Sequence, residues 1–274
     1  MRPPLVVIRG AGELGTGVAH ALVQAGARVL LLDRPLPRAL RLTVAFAYAA
    51  VQERTTVEGV EAVHCRSEQE VVAAWAAGSV PLWTRAEREL ALAPEVLVDA
   101  RMRQVTEPLP LRGAATLTVG IGPGFVAGED VDFVIESNRG PALGRLLARG
   151  SAEAYTGLPG LVAGFREERI LRSPCAGPFE RRRELGDLVA VGELVGEVQG
   201  EPVRARLAGM IRGLKLSGVL VGASHKVGDV DPRNDRTLLT TMSDKARAVG
   251  AGVVSALVRA GLLGAELPVG VELH

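Results

Sequence analysis

The chain of 274 residues is poor in cysteine and in aromatic residues, and it carries almost no net charge. Its two cysteines, Cys65 and Cys175, belong to no CxxC motif or Cys/His cluster, so a structural zinc site has no support and a reducing compartment is expected. Aromatic residues make up 3% of the chain, and 32 Lys and Arg stand against 31 Asp and Glu. Stacking platforms and a basic excess are therefore both lacking, and we expect no nucleic-acid partner.

Long hydrophobic runs are lacking as well. The N-terminus holds one Arg, two Pro and an apolar run of four residues, which is too short for a signal peptide or a membrane span. The chain is therefore expected to be cytoplasmic, with no membrane partner. The contents of hydrophobic residues (47%) and charged residues (23%) are ordinary for a globular chain whose length suits about two domains.

A strand, a glycine-rich turn, a helix and a second strand are predicted at the start of the chain. Residues 5–8 and 28–32 are short apolar runs typical of buried strands, and residues 18–25 have apolar side chains at helical spacing. In a G-x-G-x-x-G turn, glycines allow a tight bend, the approach of a pyrophosphate and close packing of the helix. The residues of this turn assigned to cofactor binding are Gly10, Gly12, Glu13, Leu14, Gly15 and Thr16.

Asp33 follows the second strand, 21 residues after Gly12, where a carboxylate can accept hydrogen bonds from a ribose. This context predicts a Rossmann-type dinucleotide site. The alternative is a glycine turn that binds nothing, and Glu13 favours it because a carboxylate repels a pyrophosphate. Arg34 can accept a 2′-phosphate, so Asp33 does not decide between NAD and NADP.

Two further helices are predicted, one capped by Ser67 and ending near residue 77, and one at residues 85–92. Later strand patterns also end in acidic or glycine-rich segments. Ligands of open parallel sheets bind beyond the carboxyl ends of the strands, so such residues are expected around one crevice with the first turn. Each segment also has an interpretation without a ligand. Residues 120–125 can be a simple crossover turn, and the acid and the Arg of residues 136–139 can form an internal ion pair. The residues added to the candidate site are Asp99, Gly122, Gly124, Glu136 and Arg139.

Residues 174–231 repeat themselves with an offset of 32, so that Leu188-Val189 corresponds to Leu220-Val221. Glycine-punctuated Val and Leu runs in two copies predict two interlocked β-hairpin units. The spacing resembles that of the biotinyl/lipoyl type of barrel-sandwich hybrid. The hairpin at 198–203 holds no Lys to carry a prosthetic group, because Lys215 and Lys226 lie inside the second copy.

Together these patterns predict an α/β chain. A Rossmann-like parallel-sheet domain is expected over residues 1–168, and a small all-β module of the barrel-sandwich-hybrid (biotinyl/lipoyl-like) type over 169–232. In residues 233–274, a helix capped by Ser243 is expected to pack on the first domain.

Several motifs, in order and over nearly the whole chain, resemble the YqeB family, which is associated with selenium-dependent molybdenum hydroxylase systems. The Rossmann part of that family looks related to the XdhC maturation factors. The family carries an acid at the position of Glu13 and usually a His where this chain has Pro141. The motifs lie at residues 10–17, 57–60, 97–102, 122–128, 134–140, 156–160, 227–233 and 243–249.

The resemblance implies an accessory protein for maturation of a molybdenum hydroxylase. It implies a molybdopterin-type cofactor or a related nucleotide at the glycine-rich turn, where the turn motif itself leaves NAD(P) as the other candidate. The implied partners are the hydroxylase or other maturation proteins, and a homo-oligomer stays open.

Two other functions stay open. The first is an NAD(P)-dependent oxidoreductase, although only His64 of the four His is placed to act as an acid or base and no Tyr-x-x-x-Lys pair occurs. The second is a non-catalytic scaffold whose β module binds a partner enzyme. No catalytic residue is assigned, and the patterns do not decide whether the chain is an enzyme.

Overall fold

The structure is a computed structural model that describes residues 2–102 and 110–264. They fall into two compact units. The first comprises the described parts of Met1–Pro35, Ala45–Tyr155 and Met242–His274, and the second comprises Leu36–Val44 and Thr156–Thr241. Among residues 2–102 and 110–264, none of the helices has the length and apolar character needed to span a bilayer.

A mixed sheet of nine strands dominates the first unit. Its order is β10-β9-β7-β6-β1-β2-β5-β4-β3. The seven strands from β9 to β4 in this order are parallel, and β10 and β3 are antiparallel edges. The strands of the unit are β1 (Leu5–Arg9), β2 (Arg28–Leu32), β3 (Arg54–Val57), β4 (Val60–Cys65), β5 (Val80–Trp83), β6 (Val96–Asp99), β7 (Leu117–Ile121), β8 (Val126–Ala127), β9 (Phe133–Ile135), β10 (Leu146–Leu147) and β11 (Gly150–Ser151). The short strands β8 and β11 pair with each other.

The inner strands are apolar because both faces of the sheet are covered. Ile8, Leu30 and Ile121 are fully buried, and each such side chain contributes about 1.5–3 kcal/mol through removal from water. The predicted strands at 5–8 and 28–32 are confirmed as β1 and β2, which pair in parallel.

Four α-helices occur in the described residues, all in the first unit: α1 (Glu13–Gln24), α2 (Ala49–Gln52), α3 (Glu68–Ala76) and α4 (Asp244–Arg259). The predicted serine caps of α3 and α4 are confirmed, since Ser67 and Ser243 each accept a hydrogen bond from a backbone N–H of the first turn. Short 3-10 helices lie at Leu42–Val44, Phe46–Tyr48, Glu87–Glu89 and Arg236–Leu239.

Glycines allow α1 and α4 to pack in direct backbone contact. A Cβ on Gly17 would lie 2.3 Å from the carbonyl O of Ala246, and one on Gly250 would lie 2.5 Å from the carbonyl O of Gly17 and 3.0 Å from the Cβ of Ala21. Gly17 contacts Ala246, and Ala21, one turn later in α1, contacts Gly250, one turn later in α4. The two helices therefore run parallel, with their N-termini at the same end.

The predicted Rossmann-like domain is wrong. That fold requires crossover helices on both faces of a parallel sheet. Within the described residues, α-helices join neighbouring parallel strands only from β1 to β2 and from β4 to β5, and antiparallel strands close both edges. The helix expected at residues 85–92 shortens to Glu87–Glu89, because its last part leaves the helical path and Ala91 N–H donates to the Glu68 carboxylate at 2.7 Å.

The second unit holds two antiparallel sheets of four strands, in the orders β12-β19-β17-β14 and β16-β15-β13-β18. Strands related by the 32-residue offset fall in different sheets, so each short strand pairs with the other copy. The strands are β12 (Ile170–Arg172), β13 (Gly177–Arg181), β14 (Leu188–Val189), β15 (Leu194–Val198), β16 (Glu201–Arg204), β17 (Gly209–Leu214), β18 (Leu220–Val221) and β19 (Lys226–Asp231).

The predicted biotinyl/lipoyl-like module is also corrected. This unit is more than a duplicated hairpin module, since it includes Leu36–Val44, where the carbonyl O of Leu40 accepts from Leu214 N–H at 2.9 Å. Its β15–β16 turn is Gln199-Gly200, so the residue type that carries a prosthetic group is missing there.

Candidate functional site

The glycine-rich turn connects the carboxyl end of β1 to α1. Gly10 has φ +101°, and a Cβ there would lie 3.1 Å from the carbonyl C of Ala100. A Cβ on Gly15 would lie 1.8 Å from the carbonyl O of Gly10. Glycine at these two positions is therefore required for α1 to pack against the end of β1, which is the role predicted for Gly15.

The N-terminus of α1 differs from those of α3 and α4. Its N-cap residue is Gly12, and no side-chain hydrogen bond caps the helix. The first-turn N–H groups of Leu14 and Gly15 thus receive nothing from the N-cap side chain, although helix N-termini normally need such an acceptor. An anion placed beyond Gly12 would satisfy these donors and the positive end of the helix dipole.

Two residues predicted to contact the cofactor, Asp33 and Thr16, make hydrogen bonds that stabilise the turn. Asp33 accepts from the backbone N–H of Ala11 and from that of Arg34, both at 2.7 Å. Thr16 is fully buried, where its Oγ1 donates to the carbonyl O of Ala11 at 3.2 Å and accepts from Phe46 N–H at 2.8 Å. Both side chains stabilise the path of the main chain around Ala11.

The N-terminus of α4 adds a cation beside that of α1. Ser243 N–H donates to the Glu13 carboxylate at 3.2 Å, and Lys245 is the second residue of α4. Burial lowers the pKa of Lys245, as does the charge of Arg139, whereas the carboxylates of Glu13 and Glu136 raise it. Lys245 was not among the predicted site residues, although it is one of only three lysines and lies in the motif at 243–249.

The acidic and basic residues after β9 have separate partners. Glu136 is buried, and its carboxylate accepts from Asn138 N–H at 2.6 Å and from Glu153 N–H at 2.7 Å. Arg139 forms its ion pair with Asp244, at 2.9 and 3.1 Å. The structure therefore joins this loop to the N-terminus of α4, an arrangement that neither sequence alternative contained.

The ends of β6, β7 and β9 meet next to the turn. Asp99 is fully buried, and its two oxygens accept from Arg101 Nε at 3.0 and 3.1 Å. This hydrogen bonding raises the pKa of Arg101. Gly122 has φ +73°, and a Cβ there would lie 2.5 Å from the Ser137 Oγ. Gly124 also has a positive φ, of +99°.

These contacts bring most of the predicted residues to one edge of the sheet. The side chain of Arg101 approaches Gly10, with its Cγ 3.2 Å from a Cβ placed there. The turn, the Asp99–Arg101 pair, Lys245 and the loop after β9 therefore surround the uncapped end of α1. Asp33 belongs to this region as a structural support.

A cavity of about 480 Å³ lies elsewhere in the first unit, against α3 and β4. His64 Nε2 is 2.9 Å from the Thr84 Oγ1, and burial lowers the pKa of His64. Cys65 is fully buried, and burial raises its pKa to about 11, so its thiol is unreactive at neutral pH. Arg66 is held by the Glu53 carboxylate at 2.6 and 2.7 Å. Within residues 2–102 and 110–264, no group of three or more His, Cys, Asp or Glu side chains is arranged to hold a metal ion.

Comparison with known proteins identifies one curated relative at close similarity. The chain is 40% identical over 257 residues to Uncharacterized protein YqeB of Escherichia coli K12. The match covers 93% of this chain and 47% of that protein, so the chain spans about half the length of the curated relative it matches. This similarity supports the resemblance to YqeB. No family model matches the chain.

Solved structures similar to this chain share little sequence with it. An aspartoacylase family protein of Mesorhizobium loti has a TM-score of 0.26 and 12% identity, over 85% of this chain and 86% of that one. A succinylglutamate desuccinylase/aspartoacylase of Rhodobacter sphaeroides has a TM-score of 0.28 and 15% identity, over 85% and 87%. The Ectoine utilization protein EutE (DoeB) of Ruegeria pomeroyi, with bound product, has a TM-score of 0.27 and 13% identity, over 84% and 85%.

The predicted function, maturation of a molybdenum hydroxylase, is corrected, because the curated relative is named uncharacterized and gives that role no support. The side chains give a physical reason, because two groups assigned to the cofactor are engaged within the protein. Asp33 is bonded to Ala11 and Arg139 to Asp244.

Proposed function

We propose that this chain is a YqeB-type protein that binds a phosphate-bearing small molecule of the nucleotide class at the glycine-rich turn. The observation that carries the proposal is the N-terminus of α1, which has a glycine N-cap and no side-chain cap. Among the three longer helices of the described residues, α3 and α4 carry serine caps and α1 does not, while the four-residue helix α2 also has no side-chain cap.

Electrostatics around this end favour an anion. The parallel packing of α1 and α4 places two helix N-termini side by side, and each attracts an anion by about 0.3–1 kcal/mol at an exposed position. Lys245 adds an ammonium group in the same region, and its burial makes this charge less screened by water. These groups offset Glu13 and Glu136, whose carboxylates are neighbours of Lys245.

The uncapped end of α1 suits the phosphate part of a ligand. Phosphorylated pterins and NAD(P) both contain phosphate groups, so both candidate cofactors stay within the proposal. Asp33 gives a ribose little support, because its two oxygens already accept from Ala11 and Arg34. We therefore expect affinity to follow the phosphate more than the sugar.

Replacement of the N-cap tests the proposal. Gly12 has φ −65° and ψ −176°, an extended conformation that any residue adopts, so Gly12→Ser introduces no backbone strain. The serine Oγ would accept from the first-turn N–H groups, which keeps or raises the free energy of unfolding, by up to about 1 kcal/mol. In isothermal titration with NAD⁺, NADP⁺, a pterin monophosphate and inorganic pyrophosphate, we expect at least a tenfold loss of affinity for whichever probe the wild type binds.

Ser67→Ala is the matched control. It removes the cap of α3, so it should lower the free energy of unfolding by about 1 kcal/mol and leave binding unchanged. Wild-type protein that binds none of the four probes, or Gly12→Ser protein that binds as tightly as the wild type, would contradict the proposal. The rank order of the probes separates a pterin from a dinucleotide.

A further inference from the structure

Lys215 has an unusual environment in the second unit. It follows β17 directly, and its Nζ donates to the carbonyl O of Arg38 at 2.9 Å. Its backbone N–H donates to the carbonyl O of Val227, which fixes it beside β19. Among the ion pairs that the described residues form within the second unit, none includes Lys215.

The carboxylate beside this strand pair is already occupied. Asp229 lies opposite Gly213 in the pairing of β17 with β19. One of its oxygens accepts from Arg169 at 2.5 Å and the other from Lys226 at 2.6 Å. Asp229 therefore has two cations of its own, and the ammonium of Lys215 is left with a neutral carbonyl as its acceptor.

The surrounding charges act against the ammonium form. Burial, together with the charges of Arg38 and Lys226, lowers the pKa of Lys215 to about 8. In about half of the protein molecules, Lys215 is then a neutral amine at pH 8. An ordinary lysine, with a pKa of ~10.4, is almost fully protonated at that pH. A neutral amine has a lone pair and is a nucleophile.

We propose that Lys215 is a modification site that forms a carbamate with carbon dioxide. The lone pair of the neutral Nζ attacks the carbon of CO₂ and forms an N–C bond. One C=O π bond opens to give a carboxylate, and a proton leaves the nitrogen for water. The step needs no oxidant or reductant. The side chain changes from a cation to an anion, so Arg38 and Lys226, which disfavour the ammonium, stabilise the carbamate.

The other two lysines lack this combination. Lys226 forms an ion pair with Asp229, so its ammonium has a carboxylate partner at 2.6 Å. Lys245 lies near the carboxylates of Glu13 and Glu136, which would repel a carbamate. Selectivity for Lys215 follows from the sign of the neighbouring charges.

The carbamate can be trapped on the full chain. Protein is equilibrated with ¹³C-labelled bicarbonate at pH 8, treated with an alkyl oxonium salt that converts carbamates to stable esters, and digested for mass spectrometry. We expect a labelled ester on Lys215 whose occupancy saturates with dissolved CO₂. At equal dissolved CO₂, occupancy should be at least about tenfold lower at pH 6.5, because the amine is then protonated.

Three variants make the result decisive. Lys215→Arg keeps the positive charge and should abolish the ester at that site, whereas Lys245→Arg should leave occupancy at Lys215 unchanged. Arg38→Gln removes one stabilising cation and should lower occupancy several-fold, with circular dichroism confirming that each variant is folded. The proposal is overturned by no CO₂-dependent ester on Lys215, by equal labelling of Lys226 or Lys245, or by unchanged occupancy in Arg38→Gln.

Discussion

The carboxylate of Asp33 accepts a hydrogen bond from the backbone N–H of Ala11 across 2.7 Å, so the end of β2 holds the glycine-rich turn in place. Ala11 is fully buried, and its N–H would be left unpaired in Asp33→Ala. We expect this variant to lose about 1–3 kcal/mol of the free energy of unfolding, measured with urea. Asp33→Asn keeps an acceptor oxygen and should lose less.

The same two variants show whether Asp33 stabilises the turn or binds a ribose. If Asp33 served mainly to bind a ribose, Asp33→Ala would unfold at the wild-type urea concentration and lose only nucleotide affinity. That outcome would contradict the structural role assigned to Asp33.

Features that depend on neighbouring residues were predictable from the sequence. The caps at Ser67 and Ser243 and the helix-packing role of Gly15 are local, since a cap or a tight turn is determined within a few residues. Contacts between distant segments were not predictable in this way. Arg139 and Asp244 lie 105 positions apart, and no pattern within either segment indicates that they pair.

The fold class was wrong for a related reason. The βαβ start at residues 5–32 is strongly patterned, and extending it along the chain predicted further crossover helices. Residues 85–92 have apolar spacing compatible with a helix, but the α-helix does not form there. Strand order and the antiparallel edges depend on pairing across the whole unit, which local periodicity does not encode.

The contact between α1 and α4 depends on the missing side chain of Gly17. Ala at a helix interior is normally favoured over Gly by about 1 kcal/mol. Here the added Cβ would lie 2.3 Å from a backbone oxygen of α4, so α1 and α4 must move apart. We expect Gly17→Ala to lower the free energy of unfolding by about 1–3 kcal/mol, as overpacking usually does.

Ser255→Ala provides the comparison on α4. The Ser255 Oγ donates only to the carbonyl O of Ala251 within the same helix, so this change should stay within about 0.5 kcal/mol of wild type. A Gly17→Ala protein that is more stable than wild type would show that helix propensity outweighs the close approach.

The fully buried Asp99 carboxylate and Arg101, whose side chain is 44% exposed, form an ion pair that should be coupled. Arg101→Ala leaves the carboxylate without its guanidinium and should cost about 1–3 kcal/mol of unfolding free energy, because water screens the exposed side of the pair. Asp99→Asn in the Arg101→Ala background removes that charge and should recover at least half of the loss. A double-mutant cycle in urea measures the coupling.

An exposed pair is the control for that cycle. Arg2 and Glu95 are 2.7 Å apart, but the Arg2 side chain is 77% exposed, so Arg2→Ala should cost no more than about 1 kcal/mol. Additive effects of the Asp99 and Arg101 substitutions would mean that these two side chains are not coupled.

His64 should make stability fall as the solution becomes mildly acidic. Burial is the main cause that lowers the pKa of His64 below its ordinary value of 6.5, with the charge of Arg66 acting in the same direction and those of Glu53 and Glu70 opposing it. As the pH falls, the unfolded chain therefore binds a proton at this position before the folded chain does. The contribution to stability is complete above the unfolded pKa and is lost as the pH falls through it toward the folded pKa.

Urea unfolding at pH 7.5, 6.5 and 5.5 tests this dependence. We expect wild type to lose stability across this range and His64→Gln to lose less, because the variant has no proton to bind at that position. Glu53 and Glu61 act at lower pH, since hydrogen bonds from Arg66 and Ser79 hold their pKa values below the ordinary 4.5. Their effect therefore falls below the measured range, and equal pH slopes for wild type and His64→Gln would mean that His64 titrates alike in the folded and unfolded chains.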